Sequence, residues 1–566
     1  MEAQVMKKDY TKNLHCKAPD CKAYTRRRFP ILGWLPGYKK SWILQDMLAG
    51  ITVGLTAIPQ GIAYGIVAGL NPEYGLYAAF VSSFVYIIFG SCKNITIGPT
   101  AIMALMVRPL VDNYGPDIAV LICFLKGCII TLLGLFHLGF LLDFISLPVI
   151  TGFTSGAAIT IASAQFKPIL GIRGSSSSFL DSIVSVFVNI GDIGIFDTLL
   201  GLGTVAALVL LKNLPGNRNG KFPLNVLWMV TLARNALVVV FGTVLAYVFY
   251  LNDMEPLILT GSMGQGLPPF SLPPFFTVFH DNYYSFHHLI SGMGITLFTM
   301  PIISTIEHIA ISKAFAMGKS LDATQEMLAL GLCNIFGSFV RSMPVTGSFT
   351  RTAVNYASGV QTPLGGFFTG GLILLALGFL TSTFHFIPRA TLAGVIICAM
   401  YYMLDFDTYK LLWRAKKSDF MIMSLTLLAC VFLGLEFGIV IGILLSIIFL
   451  LFFSARPSIE IRVEQIEGHK IIHVIPKEAV AFPAAENLRS NVMQLVEFHQ
   501  CSLLVDGRSL NRIDATVAKN LKLLAKDLSL ANQQIEFINC NEEVTAILKT
   551  VAPELADKFK KSDDLC

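Results

Sequence analysis

Charge is scarce in this chain: Asp, Glu, Lys and Arg make up 14% of its 566 residues, against 54% hydrophobic. Soluble domains carry about a quarter charged residues, so a water-facing surface around a single core is excluded. The cysteines number eleven, an odd count, and many sit in apolar runs (Cys123, Cys128, Cys333, Cys398, Cys430). A disulfide scaffold is therefore not expected. His15, Cys16 and Cys21 in "HCKAPDCK" are read as unpaired thiols and a histidine rather than a metal site. Near Met1 no short apolar core precedes the polar residues, so no cleavable signal peptide is expected. There is no Gly-rich nucleotide loop, no metal-ligand cluster and no catalytic constellation. The expectation is a non-enzyme without cofactor or metal.

What the chain has is hydrophobic length, with a mean hydropathy of +0.65. Apolar runs able to cross a hydrocarbon core recur from about Asp46 to about Phe453. The pattern predicts spans near residues 47–69, 75–90, 98–109, 117–140, 147–166, 196–213 and 225–250. Seven more are predicted near 289–311, 323–340, 346–358, 364–382, 386–403, 419–434 and 437–454. The stretch "SSSSFLDSIVSVFVNI" between spans five and six is amphipathic and too polar to cross, so it is expected to lie along the surface. The domains expected are a tail at 1–45, a transmembrane part at 46–455 and a soluble domain at 456–566.

Fourteen spans put both termini on one side. The tail carries Lys7, Lys8, Lys12, Lys17, Lys22, Arg26, Arg27, Arg28, Lys39 and Lys40, which makes that side the cytosol. Lys212, Arg218 and Lys221 after span six, Lys313 and Lys319 after span eight, and Lys410, Arg414, Lys416 and Lys417 after span twelve agree. The loop from Leu251 to Ser291 has no Lys or Arg and falls outside. Asn94 of "NIT" is then cytosolic and not glycosylated. The net charge of +5 reflects this sorting rather than a nucleic-acid partner.

Two segments are too short to cross. "TIGPTAIMALMVRPL" (Thr96 to Leu110) and "MPVTGSFTRTAVNYASG" (Met343 to Gly359) are each third in a set of seven. Each opens with Gly and Pro before a Thr or Ser, a combination that breaks one backbone and caps the next helix. Each reads as a half-helix starting near the midplane. A repeat with an odd number of spans must be inverted, and broken segments at matching places point to a transport site. The first spans of the halves match too: "GLTAIPQGIAYG" and "GITLFTMPIISTIEHIAISKAFA" both carry a mid-span proline, Pro59 and Pro301.

Two half-helix amino termini offer roughly half a positive charge each, and Arg351 adds one, for about +2 in a shared cavity. Such a site takes an anion. An arginine alone in a span costs about 3 to 10 kcal/mol or more, so Arg351 is expected to face the cavity or a partner. The alternative is that it pins loops near the membrane surface. Glu307 is the other ionisable group deep in a span, read as protonated, paired to Lys313 or Arg351, or part of a proton relay. His308, Lys126 and His137 are read as packing or snorkelling residues.

These motifs, with "IPQGIAYGIVAGLNPEYGLYAAFV" and "EHIAISKAFA", resemble the SulP sulfate permease family across nearly the whole chain, most like its animal sodium-independent sulfate transporters. The resemblance implies two inverted seven-span repeats divided into core and gate domains, with the anion between the third and tenth spans. It implies that Gln60, Tyr64, Thr100, Ala101, Ser348, Phe349, Thr350 and Arg351 line the site and that Glu307 couples protons or exchange. Several relatives have an aromatic at the place of Thr100; the smaller residue here bears on selectivity. The resemblance further implies sulfate and other small anions as substrates, a homodimer in a lipid bilayer, and a plasma-membrane or endolysosomal address. An anion channel on the same scaffold and a nucleobase-type carrier are the alternatives.

After Arg456 the pattern turns globular. "HKIIHVIP", "CSLLVDGRS" and "QIEFINC" read as strands, and "AAENLRSNVMQLVEFH" and "ATVAKNLKLLAKDLS" as helices, with one more helix following. The resulting α/β domain resembles a STAS domain through "LVDGRSLNRIDAT". Asp514 is expected to cap the helix that follows, beside Thr516.

Overall fold

The structure is a computed structural model, and it describes residues 21–139, 146–174, 178–214, 224–261, 266–316, 321–466, 469–477, 480, 482–499, 501–510 and 513–560. The cluster at His15 and Cys16 lies outside these residues. The chain forms two compact units, Met1–Ile443 and Leu444–Cys566.

The first unit opens with two short pieces, α1 (Cys21–Arg28) and α2 (Ile31–Trp34), and then builds the first set of long elements. These are α3 (Ile43–Val67), α4 (Pro72–Phe89), strand β1 (Ile97–Gly98) leading into α5 (Ala101–Tyr114), α6 (Asp117–Leu135), α7 (Leu147–Ala164) with its extension α8 (Phe166–Ile169), α9 (Phe179–Val188), α10 (Ile195–Lys212) and α11 (Leu224–Leu251). A hairpin of β2 (Thr277–Phe279) and β3 (Asn282–Tyr284) separates the halves. The second set is α12 (Phe286–Met293) with α13 (Thr296–Phe315), α14 (Ala323–Ser338), β4 (Thr346–Gly347) leading into α15 (Phe349–Ala357), α16 (Gly365–Phe379), α17 (Thr381–Phe384), α18 (Arg389–Tyr401), α19 (Phe406–Ala415), α20 (Lys417–Leu433) and α21 (Leu435–Ala455).

Every predicted span has a helix in its place. Among the described residues, eight helical stretches are long and apolar enough to cross a membrane, and the pair α12 and α13, bent by 60°, makes nine. The other five, α5, α14, α15, α16 and α20, are shorter and pack inside the bundle, where neighbouring helices take the place of lipid. The bend of span eight falls at Gly294, whose φ of +50° suits a residue without Cβ, and not at Pro301 as its proline would imply. The ten-residue α9 is too short to cross. Its apolar Leu180, Val184, Phe187 and Val188 are exposed along one side.

Helix pairing follows the repeat. In the first half α4 packs on α16, and its equivalent α14 packs on α6; likewise α7 packs on α20 and α18 on α10. β1 pairs with β4 antiparallel, Ile97 opposite Gly347 and Gly98 opposite Thr346. Equivalent segments that meet antiparallel are related by a two-fold axis between them, as inverted repeats require. The packing separates a core group (α3 to α6 and α13 to α16) from a gate group (α7, α10, α11, α18, α20).

Close approaches hold the core together. α3 and α4 meet at glycines, where a Cβ on Gly75 would collide with the Gly61 carbonyl. The buried Asp46 at the start of α3 accepts hydrogen bonds from the Gln361 amide (2.7 Å), the Thr362 amide (3.1 Å) and the Thr362 hydroxyl (2.6 Å). This carboxylate fastens the first span to the turn that follows α15.

In the second unit five strands run in the order β5 (Ile459–Ile466), β6 (His469–Pro476), β7 (Ser502–Asp506), β8 (Ile535–Ile538), β9 (Phe559–Lys560). The first pair is antiparallel and the rest parallel. Helices α22 (Ala485–His499), α23 (Ala515–Leu530) and α24 (Glu542–Val551) complete it. Val505, Phe537, Leu521 and Leu548 are among its buried core residues. β6, β7, β8 and all three helices fall where the sequence pattern put them; the edge strands β5 and β9 were not anticipated. Asp514 caps α23 by accepting from the amides of Thr516 (2.8 Å) and Val517 (2.9 Å).

Candidate anion site

The two broken segments meet at their tips. β1 ends at Gly98 and β4 at Gly347, and each gives way within a residue or two to a helix, α5 or α15. Backbone that leaves the helix inside a membrane must find other partners, and here it does. The Ser348 amide donates to the Thr96 carbonyl (3.0 Å), the Thr96 amide to Thr352 Oγ1 (3.2 Å), and the Val345 amide to Asn334 Oδ1 (3.0 Å). Asn355 Nδ2 donates to the Asn94 carbonyl (2.9 Å), and Asn94 in turn donates to the Phe315 carbonyl (2.8 Å). Thr100 caps α5 through a long bond from the Met103 amide (3.5 Å). Ser348 holds the cap position of α15 without capping it by its side chain; its hydroxyl lies 3.4 Å from that of Thr350.

Arg351 sits in the first turn of α15, 2% exposed, and reaches across to the other half-helix: its Nη2 donates to the Pro99 carbonyl at 2.8 Å. Gly98 leaves room for the guanidinium, since a Cβ there would stand 2.9 Å from Nη2. Nη1 is buried and has no hydrogen-bond partner among the described residues. One edge of the fork is thus spent on joining the two tips, and the other is available.

A cavity of about 540 Å³ opens beside these tips. Gln60 and Tyr64 of α3, Thr100 and Ala101 at the start of α5, Glu307 of α13, and Ser348, Phe349, Thr350 and Arg351 of α15 all line it. Among the described residues, Gln60 Oε1 and Glu307 Oε2 are buried without hydrogen-bond partners. Glu307 lines the cavity together with Arg351, and among the described residues no ion pair between these two side chains is seen.

Sequence reasoning missed several polar groups here. The gate supplies Lys212 of α10 and Arg234 of α11 to the cavity wall; Lys212 stands over the Tyr402 ring, 3.0 Å from its centre. By sequence Lys212 is only a loop cation that marks topology. Lys126 neither snorkels nor lacks a partner. It is fully buried and donates to the Val345 carbonyl at 2.7 Å, so it braces β4 from α6. His308 is more than packing: its Nε2 lies 2.7 Å from Glu326 Oε2, both side chains fully buried, while Glu326 also accepts from Ser91, Cys92 and Tyr86. His137 lies exposed, 3.1 Å from Arg28 Nη2.

The arrangement is a largely apolar cavity that carries two helix amino termini and a guanidinium on the core side, two more cations on the gate side and one carboxylate.

A family model described as the Sulfate permease family matches residues 43–426. A "Sodium-independent sulfate anion transporter" of Bos taurus is 41% identical over 556 residues, 94% of this chain and 91% of that protein. A "Probable sulfate transporter 4.2" of Arabidopsis thaliana is 34% identical over 453 residues; the match takes in 76% of this chain and 63% of that one. Among solved structures, SLC26A9 aligns with a TM-score of 0.84 at 20% identity over 96% of this chain and 92% of its own. The transmembrane domain of a cyanobacterium bicarbonate transporter, BicA, aligns with a TM-score of 0.57 at 19% identity over 72% and 98%. These two structural likenesses bear on fold alone.

Proposed function

Because this chain belongs to the sulfate permease family, we propose that it is a sodium-independent secondary active transporter of sulfate, exchanging it with chloride, bicarbonate or oxalate or coupling it to protons. The family is one of membrane permeases, and the chain is no enzyme. The observation that carries the reading is the convergence of two helix amino termini and Arg351 on one cavity between the core and gate groups.

In this reading Gln60, Tyr64, Thr100, Ala101, Ser348, Phe349, Thr350 and Arg351 bind the anion. The backbone amides that open α5 and α15 point at it, and Nη1 of Arg351 adds a charged donor. Such charge-assisted bonds are roughly twice as strong as neutral ones. The core then carries the anion past the gate by a vertical or rocking displacement. The gate cations Lys212 and Arg234 draw anions into the mouth on the side of the basic tail. Both termini are cytosolic, the protein is a homodimer in the plasma or endolysosomal membrane, and the STAS domain lies in the cytosol.

Glu307 sets the coupling. Ionised, it leaves the site with about +1, matched to a monovalent anion; protonated, it leaves about +2, matched to sulfate. Sulfate uptake then rises as the outside pH falls. The test is labelled sulfate flux into proteoliposomes, against chloride or a pH gradient, for wild type and Glu307→Gln. The expected outcome is a steep pH profile in wild type and a flat one in the variant. A variant that keeps the wild-type pH profile removes the coupling role, and large chloride currents without countertransport convert the reading to a channel.

A further inference from the structure

A second cavity, of about 400 Å³, lies at the other end of the core and gate contact. Its walls come from both groups: the turn between α3 and α4 and the outer part of α5 on one side, α7, α8 and the start of α18 on the other. The two cavities use successive turns of the same helices. On α18, Val395, Ala399 and Met400 face the central cavity, and Arg389, Leu392 and Ile396 the second. On α5, Arg108 is eight residues beyond Thr100, about 12 Å along the axis. At the boundary stand Ile102 and Leu105 from the core and Leu392 and Val395 from the gate, all buried. These buried side chains form an apolar septum between the two cavities.

The second chamber is cationic. Arg108 lines it from the core and Arg389 from the gate. The Lys167 ammonium of α8 lies 3.9 Å from the place a Cβ would take on Gly174, a wall residue. Arg108 is held in position: Nε donates to Asp112 at 2.8 Å, Nη1 faces the Ile66 carbonyl at 3.5 Å, and the side chain lies against Gly69, whose φ of +77° and close approach leave no space for a Cβ. Arg389 donates from Nε to the Leu259 carbonyl at 3.1 Å, which fixes the guanidinium while its terminal nitrogens stay free of protein partners among the described residues. Asp112 pairs with Arg108. Glu73, the other carboxylate close by, accepts from Asn71 Nδ2 at 3.2 Å and is not part of the wall. The charged residues of the wall itself are two arginines, Arg108 and Arg389, with Asp112 paired to the first. The terminal nitrogens of Arg389 offer a fork-shaped donor that oxyanions accept, and Arg108 adds its charge from the core wall.

We infer that this chamber is a second binding site for small oxyanions, a capture site on the face opposite the basic tail, from which the anion passes to the central site once the septum parts. The inference rests on the transporter reading above for its direction and ligand class. Arg108 moves with the core and Arg389 stays with the gate, so the site is complete only while the path is closed on this face. Displacement of the core separates its two halves and releases the anion inward.

The test is binding of labelled sulfate to the purified full-length protein at low ionic strength, together with uptake kinetics from each face in proteoliposomes. Wild type is expected to bind two sulfates per chain, Arg389→Gln and Arg351→Gln one each, and the double variant none. Arg389→Gln and Lys167→Gln are expected to raise the half-saturating sulfate concentration on the outer face about three- to tenfold, with the inner face unchanged, and Arg389→Lys to recover most of it. Wild-type binding counts and outer half-saturation in both Arg389→Gln and Lys167→Gln overturn the outer site. A binding count that falls in Arg389→Gln but not in Arg351→Gln instead overturns the central site and leaves this one standing. Monodisperse elution of each variant separates loss of binding from loss of fold.

Discussion

Replacing Arg351 by Gln removes the one full positive charge at the half-helix tips and, with it, the 2.8 Å bond to the Pro99 carbonyl. A unit charge in contact with a monovalent anion, about 4 Å away, gains about 4 kcal/mol at an effective dielectric constant near 20, and a divalent anion twice that. Desolvation takes back more than half, and measured couplings of close charge pairs run from about 1.5 to 7 kcal/mol. The net loss expected is about 3 kcal/mol for sulfate, roughly 150-fold in affinity, and about 1.5 kcal/mol for chloride, roughly tenfold. Arg351→Lys keeps the charge but not the fork, and loses about 1 kcal/mol, the worth of one hydrogen bond. Labelled sulfate and chloride fluxes in proteoliposomes, normalised to reconstituted protein, measure all three. The diagnostic quantity is the ratio: sulfate must suffer more than chloride. Equal losses for the two anions would show that Arg351 only ties the tips together, and an unimpaired Arg351→Gln would refute the electrostatic reasoning outright.

Other outcomes follow from single contacts. Gly98→Ala puts a methyl group 2.9 Å from Arg351 Nη2; the guanidinium must shift, and sulfate uptake is expected to fall about tenfold at unchanged surface abundance, a result that wild-type uptake would contradict. Asp46→Asn turns an amide toward four donors that now meet a carboxylate, Tyr38 Oη among them; at about 1.5 to 3 kcal/mol per charge-assisted bond, the detergent-solubilised protein should melt several degrees lower, and an unchanged melting curve argues against this anchor. In the soluble domain, burial and then Asp506 push the Cys540 thiol up to about 11, so at pH 8 its thiolate is roughly a hundredfold rarer than an unperturbed thiol's. Iodoacetamide labelling of the Cys540 peptide, followed by mass spectrometry, should be slow at pH 8 and quicken about tenfold per pH unit as the pH rises towards 11. Labelling at pH 8 as fast as a free peptide thiol would contradict it.

What the sequence displayed was whatever depends on local chemistry. Gly98, Pro99 and Thr100, and again Gly347 and Ser348, interrupt a helical pattern within a few residues, whereas Pro59 and Pro301 sit inside continuous helices. The apolar runs give the helix order because each ends at polar, Gly or Pro residues that interrupt it locally. What was hidden depends on which faces meet. Arg234 and Lys212 lie on helices whose sequence looks lipid-facing, and only packing of the gate against the core turns them to the cavity. Lys126 has nothing nearby in sequence to bond; its partner, the Val345 carbonyl, is 219 residues away and exposed only because β4 is unwound. The same holds for Glu326, which meets His308 on one side and Ser91 on the other. The edge strand β5 follows the last apolar run so closely that its alternation was absorbed in the change of pattern, and β9 is two residues long.

The central claim is that the two interrupted helices present one anion site. It is tested most directly by a structure of the purified protein in selenate, whose heavy central atom marks the ion. The account predicts selenate within hydrogen-bond reach of the amides that open α5 and α15 and of Nη1 of Arg351, and its loss in Arg351→Gln. Selenate bound elsewhere in the membrane unit with these tips bare, or retained at the tips in Arg351→Gln, would contradict it.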